Sequence, residues 1–151
     1  MHMSNRRSMK SDEQGAVLIE FALVIGLFFM LVFGMVDFGL AINTKTQMTN
    51  AGREGARLGT VQLDPVVVED RVSETADNLD QVILAVTVEC QMPDDTLCTG
   101  THPAGDLRNG ETGDSIVVTV DYQYNLITPL PGFIDTDNKI DLQSVTEMRI
   151  E

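Results

Sequence analysis

Residue types able to do chemistry are few and far apart in this chain. Histidine occurs at His2 and His102 only, and an imidazole between Thr101 and Pro103 with no nucleophile beside it reads as a solvated side chain rather than a general base. No Gly-Lys-Ser/Thr phosphate loop, His-Glu-x-x-His pair or serine elbow is spelled out. Catalytic residues are therefore none, an enzyme is not expected, and no cofactor is implied. Cys90 and Cys98 are the only cysteines; they would close a short loop as a disulfide in an oxidising compartment, with two free thiols as the alternative. Without a second cysteine pair they make an incomplete zinc set, so no metal site is expected. Asp135, Asp137, Asn138 and Asp141 resemble a fragment of a calcium loop but lack its glycine and closing glutamate, and a solvated acidic turn is the preferred reading.

The acid in the least ordinary place is Glu20. It lies in Gly15–Val36, GAVLIEFALVIGLFFMLVFGMV, a run with no other charge before Asp37. As a helix, Ala16 to Val36 would be ~31 Å long, the thickness of a bilayer's hydrocarbon core. A carboxylate at the centre of such a helix costs about 2.5–3.5 kcal/mol on insertion scales, and less near its end. Glu20 either snorkels to the headgroups or has a partner. Ala16 and Glu20 are i and i+4, on one helix face. A cut between Gly15 and Ala16 would place a new amino group one turn from the carboxylate, in the same subunit or a neighbour. Asp37 brackets the other end and reads as a boundary marker, with pairing across an assembly interface as the alternative.

Charge orients this helix. Arg6, Arg7 and Lys10 precede the apolar run, with Asp12 and Glu13 among them, whereas Asp and Glu dominate after Thr60. Basic flanks stay in the cytoplasm, so the N-terminus should lie inside and the bulk of the chain outside. The formal charge of −13 argues against a nucleic-acid partner, which needs surplus Lys and Arg.

The elements beyond the span are also legible. From Phe38 to Leu58 the pattern stays helical, with Ala41, Met48, Ala51, Gly52, Gly55, Ala56 and Gly59 recurring on one face. Small residues let a helix approach another surface closely, so one long helix should pack its second half on a soluble domain; a flexible stalk is the alternative. Asp64-Pro65 starts a second, amphipathic helix to about Asp80, with Val68, Val72, Ala76 and Leu79 on its apolar face. Val82–Cys90, Ser115–Tyr124 and Ile140–Ile150 read as strands, and Gln91–Asp114 as a long loop. Thr128-Pro129-Leu130-Pro131-Gly132-Phe133 is a turn-rich apolar excursion. Tyr122, Tyr124, Leu126, Ile127, Leu130 and Phe133 could form a partner-binding patch, though packing in the core of a small sheet is the preferred reading. The expected fold class is α+β: a long N-terminal helix, membrane-spanning in its first half, packed on a small antiparallel sheet with a second amphipathic helix.

The string Gly15-Ala16-Val17-Leu18-Ile19-Glu20-Phe21 resembles the processing site of type IV pilin-like proteins, which a prepilin peptidase cuts after the glycine. More narrowly, GAVLIEFALVIGLFFMLVFGMVDFGLAI and AGREGARLG resemble the TadE-like minor pilins, or pseudopilins, of the tight-adherence (Flp) pilus system, and GDSIVVTVDYQY, TPLPG and TEMRIE follow in that family's order. The resemblance implies that Gly15 ends the leader, Ala16 begins the mature chain, and Glu20 and Phe21 serve processing and docking. Flp major pilins favour tyrosine after this glutamate and are much shorter, so the implied role is a minor subunit. The expected divisions are a leader, 1–15; a transmembrane helix, 16–36; a helix extension, 37–60; and an exported domain, 61–151. The implied location is the bacterial inner membrane or the pilus itself. Implied partners are the prepilin peptidase, other Tad pilins, the inner-membrane assembly platform and membrane lipid, in a structural role in adhesion, biofilm formation or secretion. The competing reading is an uncleaved, singly anchored exported binding domain.

Overall fold

The computed structural model describes residues 8–127 and 138–151, with residues 8–14 described as backbone only. Helix α1, Ser8–Gly59, runs unbroken for 52 residues, which at 1.5 Å per residue is ~78 Å. It begins inside the expected leader, 1–15. No proline or glycine stands between Ser8 and Gly15 to stop it, and extending an existing helix costs far less than starting one. Over the lower half of α1 none of the described residues buries the apolar side chains: Leu18, Leu23 and Leu27 are all more than half exposed.

Helix α2, Pro65–Thr75, starts where the sequence placed it. Asp64 is its cap, accepting a bond from the Val66 N–H at 3.1 Å. It ends at Thr75, short of Asp80, because the next side chains take the backbone groups a longer helix would use. Gln81 Nε2 donates to the carbonyls of Ala76 and Leu79, and Asp80 accepts from the Val82 N–H. Ala76 and Leu79 still reach the core.

Three strands follow, β1 (Leu84–Gln91), β2 (Ser115–Asn125) and β3 (Lys139–Arg149), in an antiparallel sheet ordered β1-β2-β3. Val82 and Ile83 belong to the preceding turn rather than to β1. Register sets Val88 opposite Val118 and Cys90 opposite Ile116, and on the other side Val120 opposite Ser144 and Ile116 opposite Met148. These residues share the face that meets the helices. The upper half of α1 lies across β2 and β3, and α2 wedges between α1 and β1. The architecture is thus α+β, with its core where α1, α2 and the sheet converge on Met48, Ala51, Val68, Val72, Ile116 and Val118.

Small residues on α1 make this convergence possible. Gly52 lies under Thr146 of β3, Gly55 faces Val72 of α2, and Gly59 faces Ile116 and Val68. The hydroxyls of Thr49 and Ser144 lie 2.9 Å apart across the same seam. On its outer side Glu54 bridges the two helices, receiving bonds from Arg57 at 2.9 Å and Arg71 at 3.0 Å. Those two guanidiniums hold its carboxyl down at about 2, from the usual 4.5. A carboxylate depressed in the folded state contributes stability that is full above its unfolded value and is lost as pH falls through the folded one. Glu54→Gln should therefore flatten the loss of melting temperature between pH 4.5 and 2, measured on the full chain in detergent. The effect should be small, because the ion pair is open to solvent.

Candidate functional site

Gly15, Ala16, Glu20 and Phe21 lie on one continuous stretch of α1, and among the described residues none of the domain covers them. Ala16, Glu20 and Phe21 are exposed, and helical spacing sets Ala16 and Glu20 one turn apart on a common face. A Cβ built on Gly15 meets nothing within 4 Å, and the same is true of Gly26, Gly34 and Gly39. The glycines of α1 thus fall into two groups. Gly52, Gly55 and Gly59 are required by close packing within the chain; the lower four are not. Any requirement for glycine at position 15 must come from something outside this fold.

The cysteines sit at the opposite end of the domain. Cys90 and Cys98 are joined by a disulfide, with Cα atoms 5.3 Å apart, and both are buried. Between them the chain makes a tight return: Met92 N–H donates to the Thr96 carbonyl at 2.7 Å, and Asp94 accepts from the Thr96 hydroxyl and N–H. Asp95 takes the left-handed conformation, φ 62. Asp114 lies within 4.8 Å of both sulfurs. With both sulfurs committed to each other, the three residues form a bridge beside a carboxylate rather than a ligand set.

The stretch from Met92 to Asp114 is more structured than a long loop. Leu107 is fully buried in a short 3-10 turn, Leu107–Asn109. The Asn109 side chain accepts from the His102 N–H and donates to the carbonyls of His102 and Pro103. Arg108 grips Asp106 at 2.7 Å and, chiefly through that bond, holds its carboxyl at about 2. His102 is half-buried there with no nucleophile bonded to it among the described residues. Nearby, an open depression of about 390 Å³ is lined by Met92, Pro93, Asp95, Ser115, Glu147 and Arg149, among others; it holds no histidine or free thiol.

Sequence reasoning missed the contact that joins the domain to the lower helix. Asp37 is buried, 5% exposed, and its carboxylate accepts a hydrogen bond from the backbone N–H of Ile127 at 3.0 Å, across 90 positions of sequence. It anchors the chain where it leaves β2. Tyr124 stands close by; burial, and secondarily the Asp37 charge, push its phenol up. Leu126 N–H donates to the Asn138 carbonyl and Asn138 Nδ2 donates to the Leu126 carbonyl, both at 3.0 Å. A lone carboxylate after an apolar run carries no sequence signal that names such a distant partner.

Core packing does not account for every member of the suggested aromatic and aliphatic patch. Tyr122 does pack against the core, and Tyr124 and Leu126 are half-buried, but Ile127 is 71% exposed. It sits past the last strand residue, where the chain has left the face that α1 covers. Leu130 and Phe133, with the rest of the Thr128–Phe133 excursion, lie outside the described residues. So do Asp135 and Asp137 of the calcium-like cluster. Its other members bond to protein groups: Asn138 to Leu126, and Asp141 to the Gln123 side chain at 3.3 Å. Arg6 and Arg7 of the leader also lie outside the described residues, and Lys10, Asp12 and Glu13 are described as backbone only.

One comparison covers the stretch that holds these residues. The family model described as TadE-like protein matches residues 15–57, a stretch that runs from Gly15 through Gly52 and Gly55 and stops short of Gly59. No curated protein matches the chain, and no solved structure matches it.

Proposed function

From the match of residues 15–57 to the family model described as TadE-like protein, we propose a minor pilin, or pseudopilin, associated with a Tad (Flp) pilus, cut after Gly15 and then assembled into the pilus or acting at its initiation. The observation that carries this reading is the lower half of α1: a membrane-length apolar helix, uncovered by the described residues of its own domain, with Glu20 one turn in from Ala16. A helix built this way stands ready to exchange lipid for the helices of neighbouring subunits. The Ala16 amine, once freed, would offset the Glu20 charge as that exchange occurs. On this reading the helix spans the bacterial inner membrane, its N-terminus is cytoplasmic, and the α+β domain lies outside. The prepilin peptidase, other Tad pilins and the inner-membrane assembly platform are its partners. The role is structural, in adhesion, biofilm formation or secretion.

N-terminal sequencing of protein made together with its prepilin peptidase tests the proposal. A mature chain beginning at Ala16 is expected. Gly15→Val should abolish the cut while leaving the domain folded, because beyond the adjoining turns of α1 nothing described stands within 4 Å of the added Cβ. Glu20→Ala should still be cut yet fail to assemble; normal piliation in that variant would remove the amine–carboxylate pairing. Retention of Gly15 in the presence of active peptidase would overturn the proposal and favour an uncleaved, singly anchored binding domain.

A further inference from the structure

The domain's contact with α1 begins at a definite height. Among the described residues nothing buries the helix from Ala16 to Val36; at Asp37 it is covered, and there the Ile127 N–H, just past β2, meets the Asp37 carboxylate at 3.0 Å. If the apolar run fills the hydrocarbon core, Asp37 stands at its edge. The residues from Asp37 to Ile42 then rise ~8 Å through a headgroup layer of roughly 5–7 Å on each side.

A loop at that height would ordinarily show polar side chains to water. This one shows Ile127, 71% exposed, and the helix beside it shows Phe38 at 70% and Ile42 at 56%. Water is a poor partner for three such side chains, whereas the boundary between headgroups and acyl chains suits them. The same arrangement answers the cost of a carboxylate at lipid depth, since the Ile127 N–H supplies Asp37 with a donor and burial shields it from the acyl chains. The exposed apolar surface is also continuous with the apolar run below it, through Val36 and Phe38.

We propose that Ile127, just past the end of β2, makes a membrane-surface contact in which it enters, with Phe38 and Ile42 of α1, the headgroup layer of the bilayer that holds the helix. The domain then rests on the bilayer at a second point instead of standing off it on a bare stalk. This rests on the membrane-spanning reading of α1, and the experiment separates the two.

The full chain is reconstituted in phosphatidylethanolamine and phosphatidylglycerol vesicles carrying nitroxide-labelled lipids, with an environment-sensitive fluorophore on one introduced thiol at a time. Cys90 and Cys98 are bonded to each other and do not compete for label. The sites are Ile127→Cys, Leu27→Cys inside the apolar run, and Val61→Cys, an exposed position beyond the far end of α1. The label at 127 should be quenched at least twofold more than the label at 61 by nitroxide near the headgroups, with blue-shifted emission. The label at 27 should be quenched by nitroxide deep in the acyl chains. If 127 behaves like 61 while 27 is quenched, the membrane contact is overturned and the span stands. If 27 also behaves like 61, the spanning reading falls and the contact falls with it.

Discussion

Replacing Gly55 by valine is expected to separate α2 from α1 and to lower the melting temperature of the domain by more than 10 °C. A Cβ built on Gly55 would overlap Cγ2 of Val72 and meet Val68 Cγ1 and the Val68 carbonyl oxygen at 3.5 Å. Neither neighbour yields easily, because both valines are fully buried and β-branched, with a single torsion that the helix already restricts. Overfilling a tight core costs about 1–3 kcal/mol for a few extra methyl groups and more where backbone must move. Each kcal/mol lowers the melting temperature of a domain this size by roughly 4 °C. Gly55→Ala should fall between, since about 1 kcal/mol of improved helix propensity partly offsets the overlap. The contrast is Gly39→Ala, where nothing lies within 4 Å and the domain should melt unchanged or slightly higher. Circular dichroism of the full chain in detergent reads all three. A Gly55→Val protein melting like the parent would show that α2 is not held where the structure places it.

Removing the disulfide is the second large effect. The bridge joins residues separated by 8 positions, and closing a loop that short in the unfolded chain is worth about 2.5 kcal/mol in the chain-entropy treatment. Both cysteines are also core residues, at 0% and 1% exposed, so a Cys90→Ala, Cys98→Ala double variant leaves small voids as well. A fall of roughly 10 °C in melting temperature is expected. The local structure identifies what loosens first. Cys90 N–H donates to Gly105, Cys98 N–H donates to Cys90, and Gly105 N–H donates to Cys98, each at 2.9 Å. Amide exchange should therefore quicken at residues 90, 98 and 105 before it does in β2. Protection at those amides equal to the parent's would show that the backbone bonds alone hold the loop.

Much of this fold was legible because its signals are local. Asp64-Pro65 caps and starts α2 within two residues. The alternation of Val86, Val88 and Cys90 marks the buried face of β1, and the spacing of Met48, Ala51, Gly52, Gly55 and Gly59 marks the side of α1 that meets the domain. Where α2 stops was less legible, because Gln81 reaches back to the Ala76 and Leu79 carbonyls and Asp80 accepts from the Val82 N–H ahead of it, bonds that periodicity does not reveal. The sequence showed that Gly55 must lie close to something, but not that the something is Val72.

Composition and spacing alone determined that α1 is long, apolar and acid-marked at Glu20, and that a small α+β unit follows it; helix period, strand alternation and capping are properties of neighbours in the chain. Tertiary structure decided how that unit is seated. The bond from Ile127 to Asp37 joins residues 90 apart, and the exposure of Ile127 follows from where that bond holds it. A hydrogen bond between such distant groups depends on the whole sheet arriving in register, and no local pattern encodes it.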